Sequence, residues 1–81
     1  MKHRKSLHRL HFKPNGFAFD PATGRSYTFN ASSLMIVNWL RAGCSEEEIP
    51  MRLANEYETS PAAARRDVDR FLASLREYRL L

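Results

Sequence analysis

The hydrophobic pattern of this chain changes period part-way along it, and that change limits the fold more than any other feature. Near the front, Leu10 and Phe12 alternate with His11, Phe17 and Phe19 alternate with Ala18, and Tyr27 and Phe29 alternate with Ser26 and Thr28. Successive side chains of a strand point to opposite faces, so period two in three short runs predicts three strands with one apolar face. Lys13-Pro14-Asn15-Gly16 separates the first two, and Asp20-Pro21-Ala22-Thr23-Gly24 separates the second from the third. In each, Pro presets φ for a turn and Gly supplies the positive φ that closes it. Connections this short join antiparallel neighbours, so strands over about 7–12, 16–20 and 25–29 form a meander.

Beyond residue 30 the pattern is helical. Asn30 is an expected N-cap for a helix over 31–41, with Gly43 just past its end. Leu34 to Leu40 is apolar almost all round, which marks the most buried helix. Ser45 and Glu48 form a capping box, with Cys44 and Ile49 in the places of a hydrophobic staple. Ile49, Leu53 and Tyr57 follow at spacings of four, predicting a helix over about 46–56. Pro50 falls at its fifth position, where a missing donor and a crowding ring predict a distorted first turn. Ser60 followed by Pro61 is the clearest helix start in the chain, and the helix should run over about 61–78. Its apolar stripe is Ala64, Val68, Phe71, Leu72, Leu75 and Tyr78, opposite Arg65, Arg66, Asp69, Arg70 and Arg76. The last two helices and the link 57–60 have the outline of a helix-turn-helix. The expected fold class is α+β, a three-stranded antiparallel sheet followed by a three-helix bundle. It forms a single domain over residues 7–81 behind a basic, flexible tail over 1–6.

Composition narrows the function. Eighty-one residues allow one small core and exclude a multi-domain enzyme. The net charge of +4 suggests an anionic partner, but five of the thirteen Lys and Arg residues lie within the first thirteen positions together with all three histidines. The rest of the chain holds eight basic against nine acidic groups, so the folded body is nearly neutral. A single Cys44 cannot close an internal disulfide, and the basic N-terminus lacks the apolar stretch of a signal peptide. The expected setting is the cytoplasm, with no membrane association. No Ser/His/Asp set, paired carboxylates or phosphate-cradling Gly loop is present, so the expectation is no enzyme, no catalytic residue and no cofactor. His8 and His11, three apart on an expected strand, point to opposite faces and have no nearby carboxylate, which argues against a metal. Cys44 is accounted for by its staple position.

Gly16 to Asn30, Cys44 to Ile49, Ala64 to Val68 with Phe71, Leu72 and Leu75, and the closing Leu80-Leu81 stand in an order and spacing that resemble the PqqD family. The family takes its name from a small protein of pyrroloquinoline quinone biosynthesis. The resemblance implies a winged-helix-like domain that acts as a peptide chaperone. Such a domain binds the leader or precursor peptide of a ribosomally made product and presents it to a modifying enzyme, often a radical enzyme. Family members capture the peptide as an extra strand on the sheet edge, beside the third helix. Carried onto this sequence, that implies peptide binding at Ser26, Tyr27, Thr28 and Phe29 on the edge and at Arg65, Asp69 and Arg70 on the helix. The chain departs from the family pattern at Arg79, where a Gly usually precedes the closing Leu-Leu, and at Pro50, where an aliphatic or small residue is usual.

The residues themselves also leave two other readings open. A helix-turn-helix would bind DNA through Arg65, Arg66 and Arg70, although Asp67, Asp69 and Glu46 to Glu48 would repel phosphate, so nucleic acid is not the favoured partner. An unprotected edge over Arg25 to Asn30, with no Pro and no Lys to block pairing, or the apolar helix over 31–41, could instead pair with its copy in a homodimer.

Overall fold

The computed structural model describes residues 5–81. In chain order it contains α1 (Lys5–Arg9), β1 (His11–Phe12), β2 (Phe17–Phe19), β3 (Ser26–Thr28), α2 (Ala31–Arg41), α3 (Ile49–Tyr57) and α4 (Pro61–Glu77). The sheet is an antiparallel meander of order β1-β2-β3, with Phe12 opposite Ala18 and Ala18 opposite Tyr27. The α+β arrangement of a three-stranded sheet followed by helices is therefore the architecture of the chain.

The first expected strand is only partly a strand. Residues 5–9 are helical, and β1 keeps just two residues. Leu7 and Leu10 explain the difference: three apart, they share one side of a helical turn but would face opposite ways along a strand. Both are buried, at 0% and 3% exposure. The boundary expected for the tail moves with them, because Lys5 and Ser6 belong to α1. Residues 1–4 of that tail lie outside the described residues. His8 and His11 sit on α1 and β1 rather than on one strand.

Both turns form as their residues require. Gly16 donates its N–H to the Lys13 carbonyl at 3.1 Å, and Phe17 N–H reaches the Asn15 side-chain oxygen at 3.0 Å. Gly16 has φ +91°, and a Cβ there would overlap the carbonyl oxygen of Phe29 across the ladder. In the second turn Gly24 N–H bonds the Asp20 carbonyl at 2.8 Å, while Ala22 N–H bonds the Asp20 carboxylate at 2.9 Å.

The apolar face of the sheet is not made by all the alternating aromatics. Ala18 is fully buried, whereas its neighbours are the ones turned outward, with Phe19 exposed and Phe17 half-buried. The register puts Ala18 between Phe12 and Tyr27, and its small side chain leaves room for the larger rings beside it. Phe12 and Phe29 stack at 5.9 Å between centroids, and Tyr27 and Phe29 at 6.3 Å.

The helices follow their caps. Asn30 accepts from Ser33 N–H at 2.8 Å, and Gly43 at φ +101° ends α2. The capping box is reciprocal: Ser45 N–H donates to the Glu48 carboxylate at 3.0 Å, and Glu48 N–H donates to the Ser45 hydroxyl at 3.3 Å. The box closes a separate turn, however, and α3 starts at Ile49 rather than near 46. That start places Pro50 in the first turn of the helix, where no intrahelical donor is required and no preceding turn can be crowded. Ser60 accepts from Ala63 N–H at 3.1 Å and Pro61 opens α4. The buried core joins Leu7 and Leu10 to Val37 and Leu40 of α2, Ile49 and Leu53 of α3, and Val68, Leu72 and Leu75 of α4. An ion pair of 2.7 Å between Arg76 and Glu46 ties the far side of α4 to the turn before α3.

Candidate functional site

The free edge of β3 has both an open ladder and a wall beside it. Asp20 N–H bonds the Arg25 carbonyl at 2.8 Å, and Phe29 N–H bonds the Gly16 carbonyl at 2.9 Å, which fixes the phase of the β2–β3 ladder. Backbone groups alternate in direction along an antiparallel strand. Residues 25, 27 and 29 therefore turn theirs toward β2, and Ser26 and Thr28 turn theirs outward. Those two residues present two donors and two acceptors on the edge, and their side chains are exposed.

Beside that edge lies a groove of about 670 Å³ between β3 and α4. Tyr27 and Phe29 form one wall; Phe71, Ser74, Leu75 and Tyr78 form the other. The walls touch through aromatic pairs, Tyr27 with Tyr78 at 5.6 Å and Phe29 with Phe71 at 6.1 Å, both edge-to-face. Such pairs contribute roughly 0.5–1.5 kcal/mol each beyond the area they bury, so they fix the spacing of strand and helix. Tyr78 is 53% exposed, so its ring is an open part of the groove rather than of the core.

The groove continues at both ends. A second hollow of about 570 Å³ shares Asn30, Ser33, Phe71 and Ser74 with it and runs toward Tyr57, Asp67 and Arg70. There Arg70 and Asp67 lie 3.6 Å apart, exposed on successive turns of α4. At the other end a smaller hollow of about 220 Å³ shares Arg25, Tyr27 and Tyr78. Arg9 also lines it, and its Nε and Nη2 each donate to one oxygen of Asp20 at 2.9 Å. The hydrogen-bonded Arg9 guanidinium holds the Asp20 carboxyl well below its ordinary range, against the opposing effect of burial, with the Ala22 N–H and Thr23 helping. Asp20 raises the Arg9 pKa in turn. This pair fastens α1 to the β2–β3 turn.

The expected site residues divide. Ser26, Tyr27, Thr28 and Phe29 stand together at the groove, and Arg70 lines its extension. Arg65 and Asp69 are exposed and line neither hollow. At about 3.6 residues per turn they fall on the side of α4 that carries Arg76, away from Phe71, Ser74 and Tyr78. Phe71 and Tyr78 were legible only as members of the apolar stripe. Their signal is position, because both are large rings at the margin of a stripe whose centre is Val68 and Leu72.

The family model described as "Coenzyme PQQ synthesis protein D (PqqD)" matches residues 16–81. The chain belongs to the PqqD family. Comparison with curated proteins and with solved structures gives no match. The PqqD span covers β2, β3 and all of α2 to α4, hence the whole groove, and leaves α1 and β1 outside it. PqqD is a non-catalytic accessory family associated with a precursor peptide and a modifying enzyme. Among the described residues no helix is long and apolar enough to cross a membrane.

Proposed function

We propose that this PqqD-family chain binds a ribosomally made precursor or leader peptide as a fourth strand on β3 and presents it to a modifying enzyme, without catalysing a reaction itself. The observation that carries the proposal is the open edge at Ser26 and Thr28 standing over an aromatic groove walled by α4. Main-chain pairing to the outward groups supplies affinity that does not depend on sequence. Alternate guest side chains turn down into the groove, where Tyr27, Phe29, Phe71 and Tyr78 favour apolar or aromatic residues. Arg70 meets the guest where the groove runs on toward α3. Family membership is consistent with this role in synthesis of the PQQ type.

The test is nuclear magnetic resonance of the isotope-labelled protein with peptides selected on it from a randomised display library. Shifts should cluster on residues 25–30 and on Phe71, Ser74 and Tyr78. A DNA duplex that moves Arg65 to Arg70 while every selected peptide leaves 25–30 unmoved would sink the proposal. So would edge signals that change with protein concentration alone, since they would mean that a second copy occupies β3.

A further inference from the structure

We infer that the Arg25 end of the groove is a carboxylate-binding mouth, formed by Arg25 and Arg79, that selects guest strands bearing an Asp or Glu beside the segment paired with β3. The inference rests on the strand-addition reading and adds a chemical class of guest to it. The small hollow shares Arg25, Tyr27 and Tyr78 with the main groove, so a chain lying along β3 passes directly over it. Three arginines line it, Arg9, Arg25 and Arg79, with the carboxylates of Asp20 and Glu77. Asp20 is already held by both Nε and Nη2 of Arg9. Glu77 lies within ion-pair distance of neither remaining arginine, and neither has a hydrogen-bonding partner for its side chain among the described residues. The lining therefore holds two unengaged arginines against one remaining carboxylate, and the hollow keeps a positive charge. A planar fork pairs best with a carboxylate, which it can grip through two parallel hydrogen bonds.

The backbone of Arg79 points the same way independently. Leu80 N–H bonds the Leu75 carbonyl at 2.8 Å and Arg79 N–H bonds the Arg76 carbonyl at 3.0 Å, the paired bonds of a Schellman ending to α4. Arg79 occupies its left-handed position with φ 61°. Glycine adopts that conformation freely and other L-residues only at a cost, so the helix ending alone favours Gly here. The residue present is instead an arginine that lines the hollow, and strain of this kind collects at ligand clamps.

The experiment separates binding from folding. A randomised peptide display library is selected on the immobilised wild type, on Arg79→Gly, and on the double variant Arg25→Gln with Arg79→Gly. Peptides from the wild type should carry alternating apolar residues with an Asp or Glu fixed at one end. On the double variant the alternation should persist and the acidic preference disappear. An acid-bearing peptide should bind Arg79→Gly about tenfold more weakly, while its Asn or Gln counterpart binds both proteins alike. Arg79→Gly should also melt at a higher temperature, which removes unfolding as the cause of weaker binding. Alternation without acidic preference in the wild type, or equal affinity of the acid-bearing peptide for both proteins, overturns the carboxylate mouth and leaves strand addition standing. Selected peptides that leave residues 25–30 unmoved overturn both.

Discussion

Replacing Thr28 by proline should separate peptide capture from folding, because the ladder phase puts the Thr28 N–H on the outer edge. Pairing of Phe17 with Thr28 uses neither backbone group of Thr28, while the neighbouring Ala18–Tyr27 pair carries the hydrogen bonds. Proline at 28 therefore removes no internal hydrogen bond, and the residue before it is already extended, as a residue preceding proline prefers. The folded state should lose no more than about 1 kcal/mol, since the restricted unfolded chain offsets some of the strain at φ. For a guest strand the loss is larger. One main-chain hydrogen bond goes, worth about 1 kcal/mol, and the guest carbonyl facing the ring is left without a partner, for a total near 2 kcal/mol or about thirtyfold in Kd. Tyr27→Pro is the comparison. It removes a ladder bond to Ala18 and the ring contacts with Phe29 and Tyr78, and should destabilise the fold by on the order of 3 kcal/mol. Urea melts give the stability of each variant, and fluorescence anisotropy with a labelled, library-selected peptide gives the affinity. If Thr28→Pro unfolds as readily as Tyr27→Pro, the ladder phase is wrong. If it folds and binds as wild type does, the guest does not pair with β3.

Gly16→Ala forces a side chain into a left-handed conformation and against the Phe29 carbonyl, and should cost at least about 2 kcal/mol in a denaturant melt. Leu7→Ala should cost about 2–5 kcal/mol although Leu7 lies outside the family match, because its side chain is fully buried; a loss below 1 kcal/mol would refute the placement of α1. Tyr78→Ala, at a half-exposed ring, should lower stability by only about 1 kcal/mol yet weaken peptide binding several-fold, as read by calorimetry. For Asp20, whose folded pKa is lowered, the unfolded chain binds the proton more readily. Its stabilising contribution is complete above the ordinary carboxylate value of about 3.9 and is lost as pH falls toward the folded value. Thermal melts from neutral to acid pH should therefore show a decline in the wild type that is shallower in Asp20→Asn.

Much of the groove was legible before its walls were known. The Pro–Gly turns and the alternation of Tyr27 and Phe29 were enough to place an edge strand at Ser26 to Phe29, because both signals are local. Pro50 and the front of the chain are less legible for a related reason. A capping box at Ser45 and Glu48 looks the same whether it opens a helix or closes a turn before one, and only the clash of Pro50 with the preceding turn decides between them. Leu10 and Phe12 alternate as a strand does, yet burial of Leu7 alongside Leu10 required a helical turn. That Arg65 and Asp69 line neither of the two larger hollows was not legible, since an exposed charge reveals nothing about which side of its helix faces the sheet.

By itself the sequence determined the order of strands and helices from β2 onward, the turns between the strands, the caps of α2 and α4 and the open edge, all of which depend on residues close together in the chain. The tertiary structure decided which rings face inward and how the long helix is rotated against the sheet. Those choices depend on packing between distant segments: Ala18 is buried because Phe12 and Tyr27 flank it across the ladder, and Phe71 and Tyr78 become a wall because Phe29 and Tyr27 meet them edge to face. The net positive charge is similarly divided. Its total is a property of composition, but only the fold assembles Arg25 and Arg79, more than fifty positions apart, at one end of the groove.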